Sequence, residues 1–198
     1  MKRYSQANNF SVSMLESLYS ARKEQNFNYN IRTCCLVLAV LVAIVALTPL
    51  SLYAAPREGQ PTPDFKVITT SGQPVSLDNY RGYVLVMDFF ATWCQPCRES
   101  IPHLIEMNRK YGKQGLQVLG MSADEDGERI VKDFANAHHI SYPVALAGES
   151  ALTDFGVRSV PVMFIIDKKG RVAGVFRGFT DEMARTTEQL IKKLLAEK

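Results

Sequence analysis

The run Tyr83-Val84-Leu85-Val86-Met87-Asp88-Phe89-Phe90 is apolar but for one acid, and it leads directly into Ala91-Thr92-Trp93-Cys94-Gln95-Pro96-Cys97. Its length and β-branched, aromatic character predict a buried strand. Beyond it, Arg98 to Gly112 predicts a helix with Ile101, Leu104, Ile105 and Asn108 on one face and Gly112 as its stop. Cys94 therefore falls where a strand hands over to a helix N-terminus. Free N–H groups and the positive end of the helix dipole favour a thiolate there. Cys97 lies one turn on, close enough for a small disulfide loop, and a dithiol so placed passes electron pairs by thiol–disulfide exchange.

Two other uses of C-x-x-C compete with this one. A closed zinc site needs about four ligands. The remaining candidates are Cys34 and Cys35, in an apolar segment, His103, and the adjacent His138 and His139, which lack ligand spacing, so no metal is expected. A purely structural disulfide is the second rival. A loop closed by cysteines three apart is short and reducible, which suits exchange better than stapling. The dithiol carries its own chemistry, and no cofactor is expected.

The chain has 198 residues, 46% hydrophobic and 22% charged, which fits one ordinary domain plus an appendage. The net charge of +3 resides in the N-terminal tail, where Lys2, Arg3, Arg22, Lys23 and Arg32 outweigh Glu16 and Glu24. After residue 55 basic and acidic residues balance, so nothing points to nucleic acid as a partner.

Residues 1–33 are polar, rich in Asn, Ser and Gln, and are expected to form a largely disordered cytoplasmic tail. Residues 34–55 are apolar but for Thr48-Pro49 and Ser51, and the stretch is long enough for a transmembrane span. Basic residues precede the span, so the N-terminus should stay in the cytoplasm and the domain should be exported. A membrane anchor and a cleaved signal segment both fit. Leu52 and Tyr53 suit a cleavage site poorly, which favours the anchor. Residues 56–62 form a Pro/Gly linker, and 63–198 form the domain.

Within the domain, Pro63 to Thr69 and Val75 to Leu77 predict a hairpin about Ser71-Gly72. The strand Gly115 to Ser122 should lie parallel to the Tyr83–Phe90 strand, because a helix separates them. Ala123 to Gly127 reads as a solvated acidic loop. Glu128 to His139 predicts a helix with Ile130, Val131, Phe134 and Ala135 inward; Tyr142 to Ala147 a short strand or extended stretch; and Glu149 to Phe155 a short helix. Pro161 to Asp167 and Val172 to Phe176 form a second hairpin, and Thr180 caps a terminal helix.

This order, with a C-x-x-C helix after the first long strand, resembles the thioredoxin fold: α/β, a mixed central sheet flanked by helices. Met87 to Cys94 resembles that family's strand and tryptophan, Pro102 its helix-kinking proline, and Gly156-Val157-Arg158-Ser159-Val160-Pro161 its cis-proline segment. Pro63-Asp64-Phe65, Ala91-Thr92-Trp93-Cys94 and Cys97-Arg98-Glu99, behind an apolar segment, are similar to the TlpA/ResA-like exported thiol–disulfide oxidoreductases. Residues 124–147 resemble that family's insertion. Two positions depart from the family. Ser100 stands where many members have Glu, and Gly120 stands where thioredoxin has a lysine near the buried acid that Asp88 resembles.

The resemblance implies that Cys94 is the attacking nucleophile and Cys97 the resolving thiol of a redox-active disulfide. Trp93 would shield the sulfurs, with an ordinary core tryptophan as the rival reading. Pro96 would stiffen the helix start, and a cis Val160-Pro161 would offer backbone to an extended substrate. Asp88, an acid in an apolar strand, should titrate high and could take the proton of Cys97. His103 is expected on the exposed face of its helix.

The implied function is exported protein-disulfide reduction, with apocytochrome c among the candidate substrates and a membrane electron donor of the DsbD/CcdA type. A peroxiredoxin is the first alternative, but Met87 and Ala91 stand where its loop needs Pro and Thr. A redox-silent binding module with a structural disulfide is the second.

Overall fold

The computed structural model describes residues 33–40 and 55–197. The chain divides into two units, 1–52 and 53–198. Of the first, residues 33–40 are helical and exposed, Leu36, Val37, Leu38 and Val40 among them. The tail 1–32 and most of the apolar run lie outside the described residues. Among the described residues no helix is long and apolar enough to cross a membrane.

The second unit is built on a five-stranded mixed sheet in the order β5-β4-β3-β6-β7. Its centre is β3, Val84–Phe90, in which every residue is buried. A strand covered on both faces has no reason to alternate polar and apolar residues, which explains a run that is apolar but for Asp88. β3 pairs in parallel with β4, Leu116–Ser122, and antiparallel with β6, Val162–Ile166. β4 pairs in parallel with β5, Val144–Leu146. β6 returns through a turn into β7, Val172–Arg177. This is the thioredoxin-like α/β arrangement, with a mixed sheet flanked by helices.

Successive residues of β3 feed two cores. Val84, Val86 and Phe90 pack with α1 (Gln95–Tyr111), α2 (Glu128–Ala137) and α4 (Asp181–Ala196) through Cys97, Ile101, Leu104, Val131, Phe134 and Ile191. Leu85, Met87 and Phe89 face an aromatic cluster on the other side of the sheet. There Phe155, just past α3 (Gly148–Asp154), lies 5.3 Å from Phe89 and 5.2 Å from Phe164 between ring centroids.

Several boundaries differ from the sequence expectation. α1 begins at Gln95, not Arg98, because Cys94 itself is the N-cap, and Pro96 is its second residue. Its buried face continues through Met107 and Tyr111, while Asn108 is only half-buried. The left-handed turn that ends this stretch is at Gly115 (φ 103°), after a 3-10 turn over Gly112–Gln114; Gly112 itself is right-handed helical. Ile130 on α2 is exposed instead of inward. The N-terminal hairpin is shorter than expected, β1 at Lys66–Ile68 and β2 at Pro74–Ser76, because Leu77 opens a 3-10 turn. It touches the main sheet by the Thr69–Ala145 bridge and a Thr70 N–H to Val144 bond of 2.8 Å. At α4 the side chain of Thr180 accepts the N–H of Met183 at 3.2 Å, the cap expected there.

Candidate active site

The C-terminal ends of β3 and β4 and the N-terminal end of β6 meet at one edge of the sheet. β3 delivers the chain through Ala91-Thr92-Trp93 to Cys94, and a 3.1 Å bond from the Cys94 N–H to the Ala91 carbonyl closes the turn. Cys94 and Cys97 are joined in a disulfide, with Cα atoms 5.3 Å apart. Cys97 is fully buried and Cys94 is 5% exposed. The Cys94 sulfur accepts the Cys97 N–H at 3.3 Å, so an unpaired backbone donor of the first helical turn points at it. The same donor and the helix dipole would stabilise a thiolate at that atom.

Trp93 is 69% exposed. That exposure rules out the rival reading of it as a core tryptophan. Pro96 is exposed beside it on the first turn.

Across the edge, the Val160-Pro161 peptide is cis. It precedes Val162, the register partner of Phe89, which brings it to the end of the sheet where Cys94 lies. The Pro161 carbonyl accepts the Gly178 N–H at 2.9 Å. Val160 is half-buried, and among the described residues its own N–H and carbonyl have no hydrogen-bond partner.

Asp88 is 1% exposed, and neither of its carboxyl oxygens has a hydrogen-bond partner among the described residues. It alternates with Val86 and Phe90 and so lies on the sheet face that packs against Cys97 and α1. Burial in this apolar layer pushes its pKa up to about 7. Tyr142, also buried, has its phenol raised, first by burial and then by the Asp88 charge.

Comparison with known proteins places the chain. The Redoxin family pattern matches residues 57–191. The chain belongs to the Redoxin family. It is similar to the thiol-disulfide oxidoreductase ResA of Bacillus thuringiensis subsp. konkukian, at 29% identity over 80% of this chain and 93% of the relative. It is likewise 29% identical to the thioredoxin-like protein YneN of Bacillus subtilis, over 70% of this chain and 86% of that one. A crystal structure from Chlorobium tepidum, provisionally assigned as the thiol:disulfide interchange protein DsbE, superposes with a TM-score of 0.67 at 30% identity. That match covers 72% of this chain and all of the other. This Redoxin-family chain is thus a thiol–disulfide oxidoreductase of the TlpA/ResA-like kind.

The two departures from the family pattern have structural consequences in this Redoxin-family chain. Ser100 is buried and spends its hydroxyl on the Cys97 carbonyl at 2.9 Å, while Glu99 faces solvent. Gly120 is the register partner of Asp88 in β4 and brings no side chain to it.

Sequence reasoning missed one residue and misplaced another. Asp124, read as part of a solvated loop, is 8% exposed and bonded to Thr92 and Ser122. The spacing Ser122-Ala123-Asp124 carried the signal, since such side chains bond backbone and hydroxyls nearby. His103 is half-buried, not exposed, with its ring 6.2 Å from Phe179 and its Nε2 buried without a partner among the described residues. Burial lowers its pKa against the opposing pull of Glu188 and Glu106. His138 and His139 are exposed at the end of α2. Among the described residues, no three His, Cys, Asp or Glu side chains group to hold a metal ion.

Proposed function

We propose that this oxidoreductase is a membrane-anchored reductant of disulfides in exported proteins, with Cys94 as nucleophile and Cys97 as resolving thiol. The observation that carries the reading is the Cys94 sulfur at the N-cap of α1, receiving the Cys97 N–H at 3.3 Å. The apolar run 34–55 behind a basic tail, and the ResA-like relatives, support export.

In the reduced protein, the Cys94 thiolate attacks one sulfur of a substrate disulfide. The substrate S–S bond breaks, a mixed disulfide forms, and the substrate's other sulfur leaves as a thiolate that takes a proton. Cys97 then loses its proton to Asp88 and attacks the Cys94 sulfur. The mixed disulfide breaks, the second substrate sulfur leaves as a thiolate that takes a proton from water, and the Cys94–Cys97 disulfide remains. Two electrons pass to the substrate, and a membrane dithiol donor of the DsbD/CcdA type returns them. Asp88 titrates near the pH at which such a transfer is useful. Among the described residues the Val160 N–H and carbonyl have no partner, and at this end of the sheet an extended substrate can pair with them. The exposed Trp93 and Pro96 add apolar surface for the residues flanking its cysteine. Apocytochrome c is one substrate of the right chemistry.

The test is capture in cells. Cys97→Ser should accumulate mixed disulfides with exported cysteine proteins, identified by mass spectrometry, and Cys94→Ser should accumulate none. Equal capture by both variants would overturn the assignment of the nucleophile, and capture of cytoplasmic proteins alone would overturn export.

A further inference from the structure

Thr92, two residues before Cys94, is gripped from opposite sides by two charged side chains. Its N–H donates to Asp124 Oδ2 at 2.9 Å, and its hydroxyl donates to Oδ1 at 2.7 Å. Its carbonyl accepts Arg98 Nε at 2.9 Å and Nη2 at 2.6 Å. The guanidinium lies over the Phe134 ring, 5.8 Å from its centroid, which ties the grip to α2. Asp124 is itself anchored. The Ser122 hydroxyl donates to its Oδ2 at 2.6 Å, and its own N–H donates to Ser122 Oγ at 3.1 Å.

A buried carboxylate is unfavourable unless hydrogen bonds replace its water. Here three donors do so, two of them from Thr92, and bonds to an ionised acceptor are the stronger kind. The burial of Asp124 is therefore repaid only while residue 92 keeps its place. That place matters for the sulfur. The turn from Ala91 to Cys94 sets where Sγ meets the Cys97 N–H, and in the reduced protein no S–S bond holds Cys94 there.

We propose that Asp124 is a positioning residue for the thiol–disulfide reaction: acting through Thr92, it fixes the turn that aims the Cys94 sulfur at the N-terminal N–H groups of α1. The inference rests on Cys94 being the nucleophile. Two effects of Asp124 on that sulfur oppose each other. The carboxylate charge by itself disfavours a nearby thiolate, whereas the aim it maintains favours one.

The experiment titrates Cys94 in the reduced full-length protein. Iodoacetamide alkylation rates are measured from about pH 5 to about pH 10, a span that brackets a shifted thiol. Peptide mapping assigns the label, and near-ultraviolet circular dichroism verifies the fold. Thr92→Val removes a donor and keeps the Asp124 charge, so positioning alone moves the midpoint. We expect a rise of about one unit, which lowers the alkylation rate near pH 7 by about tenfold. Asp124→Ala should also raise it, and Thr92→Ser, which keeps the hydroxyl, should titrate like the parent. A midpoint that stays or falls in either folded variant, or a Thr92→Ser protein that behaves like Thr92→Val, overturns the proposal. If Asp124→Ala does not fold, Thr92→Val decides alone. Labelling of Cys97 ahead of Cys94 in the parent protein would instead overturn the assignment of the nucleophile, independently of the clamp.

Discussion

Asp88 and Gly120 stand opposite each other in adjacent parallel strands, so a buried carboxyl faces a position with no side chain. The space is closed by neighbours. A Cβ at Gly120 would lie 3.2 Å from the Phe90 ring, 3.3 Å from Val144 and 3.4 Å from the Tyr142 ring. No cation or donor reaches the Asp88 oxygens from the described residues. Desolvation therefore acts on Asp88 without opposition and holds its pKa near 7 instead of the ordinary 3.8.

That shift makes the protein's stability depend on pH in a particular direction. The folded-state pKa is above the unfolded one, so between them the folded protein binds more protons. Stability then falls as pH rises from about 4 to about 7 and levels off above. A shift of about three units corresponds to a penalty on the order of 4 kcal/mol once Asp88 is ionised. Asp88→Asn cannot ionise and should escape it. Urea denaturation of both proteins at several pH values is expected to show a stability difference that grows in favour of the variant across that window. A difference independent of pH would mean that Asp88 does not titrate with a raised pKa.

Gly120→Ala probes the same contact from the other strand. Alanine gains about 0.5–1 kcal/mol over glycine from lost unfolded-state freedom. Against this, its methyl must displace rings and a valine that are buried and packed, and overpacking costs about 1–3 kcal/mol. The expected net is a loss of about 1 kcal/mol in denaturant titration. A more stable variant would show that the Tyr142 side gives way freely.

Much of this was legible in the chain because it depends on local pattern. The apolar run of β3, the handover to a helix at Cys94 and the Thr180 cap each follow from residues within a few positions of one another, and the parallel crossover to β4 follows from the helix between the two strands. The placing of Gly120 near Asp88 came from the resemblance to thioredoxin, and the register of the parallel strands agrees with it. What escaped depends on distant partners. Asp124 sits in an acidic loop, and two of the three donors that make its burial favourable come from Thr92, 32 residues earlier. His103 lies beside Phe179, which arrives from the segment before α4. Trp93 is exposed beside a turn whose Thr92 is held by Asp124, and no local pattern in the sequence shows that bond.

The proposed export has its own check. A reporter that is active only outside the cytoplasm, fused after the last residue, should be active, and the full-length protein should sediment with membranes. The basis is the balance of basic residues before the apolar run. An inactive reporter would contradict export. A soluble exported form beginning near Ala55 would identify the run as a cleaved signal instead of an anchor.

The last expectation concerns the proton in the resolving step. Cys97 is fully buried, so its thiol cannot give its proton directly to bulk water as it attacks. Asp88 lies on the same face of the sheet as the layer that packs on Cys97, and its carboxyl has no competing partner among the described residues. With a pKa of about 7 it is part protonated and part free at neutral pH, so it can take the proton and return it in the reverse direction. Asp88→Asn keeps the shape and loses the titrating proton. Release of substrate from the mixed disulfide should slow by about 10²–10⁴, the usual contribution of a general base, while the initial attack by Cys94 changes less. Rapid-mixing kinetics over about three pH units around neutrality separate the two steps. In the parent protein the resolving rate should rise with pH through the Asp88 titration, and in the variant that inflection should vanish. If the resolving rate and its pH profile are the same in both proteins, Asp88 is a structural acid and the proton leaves by another route.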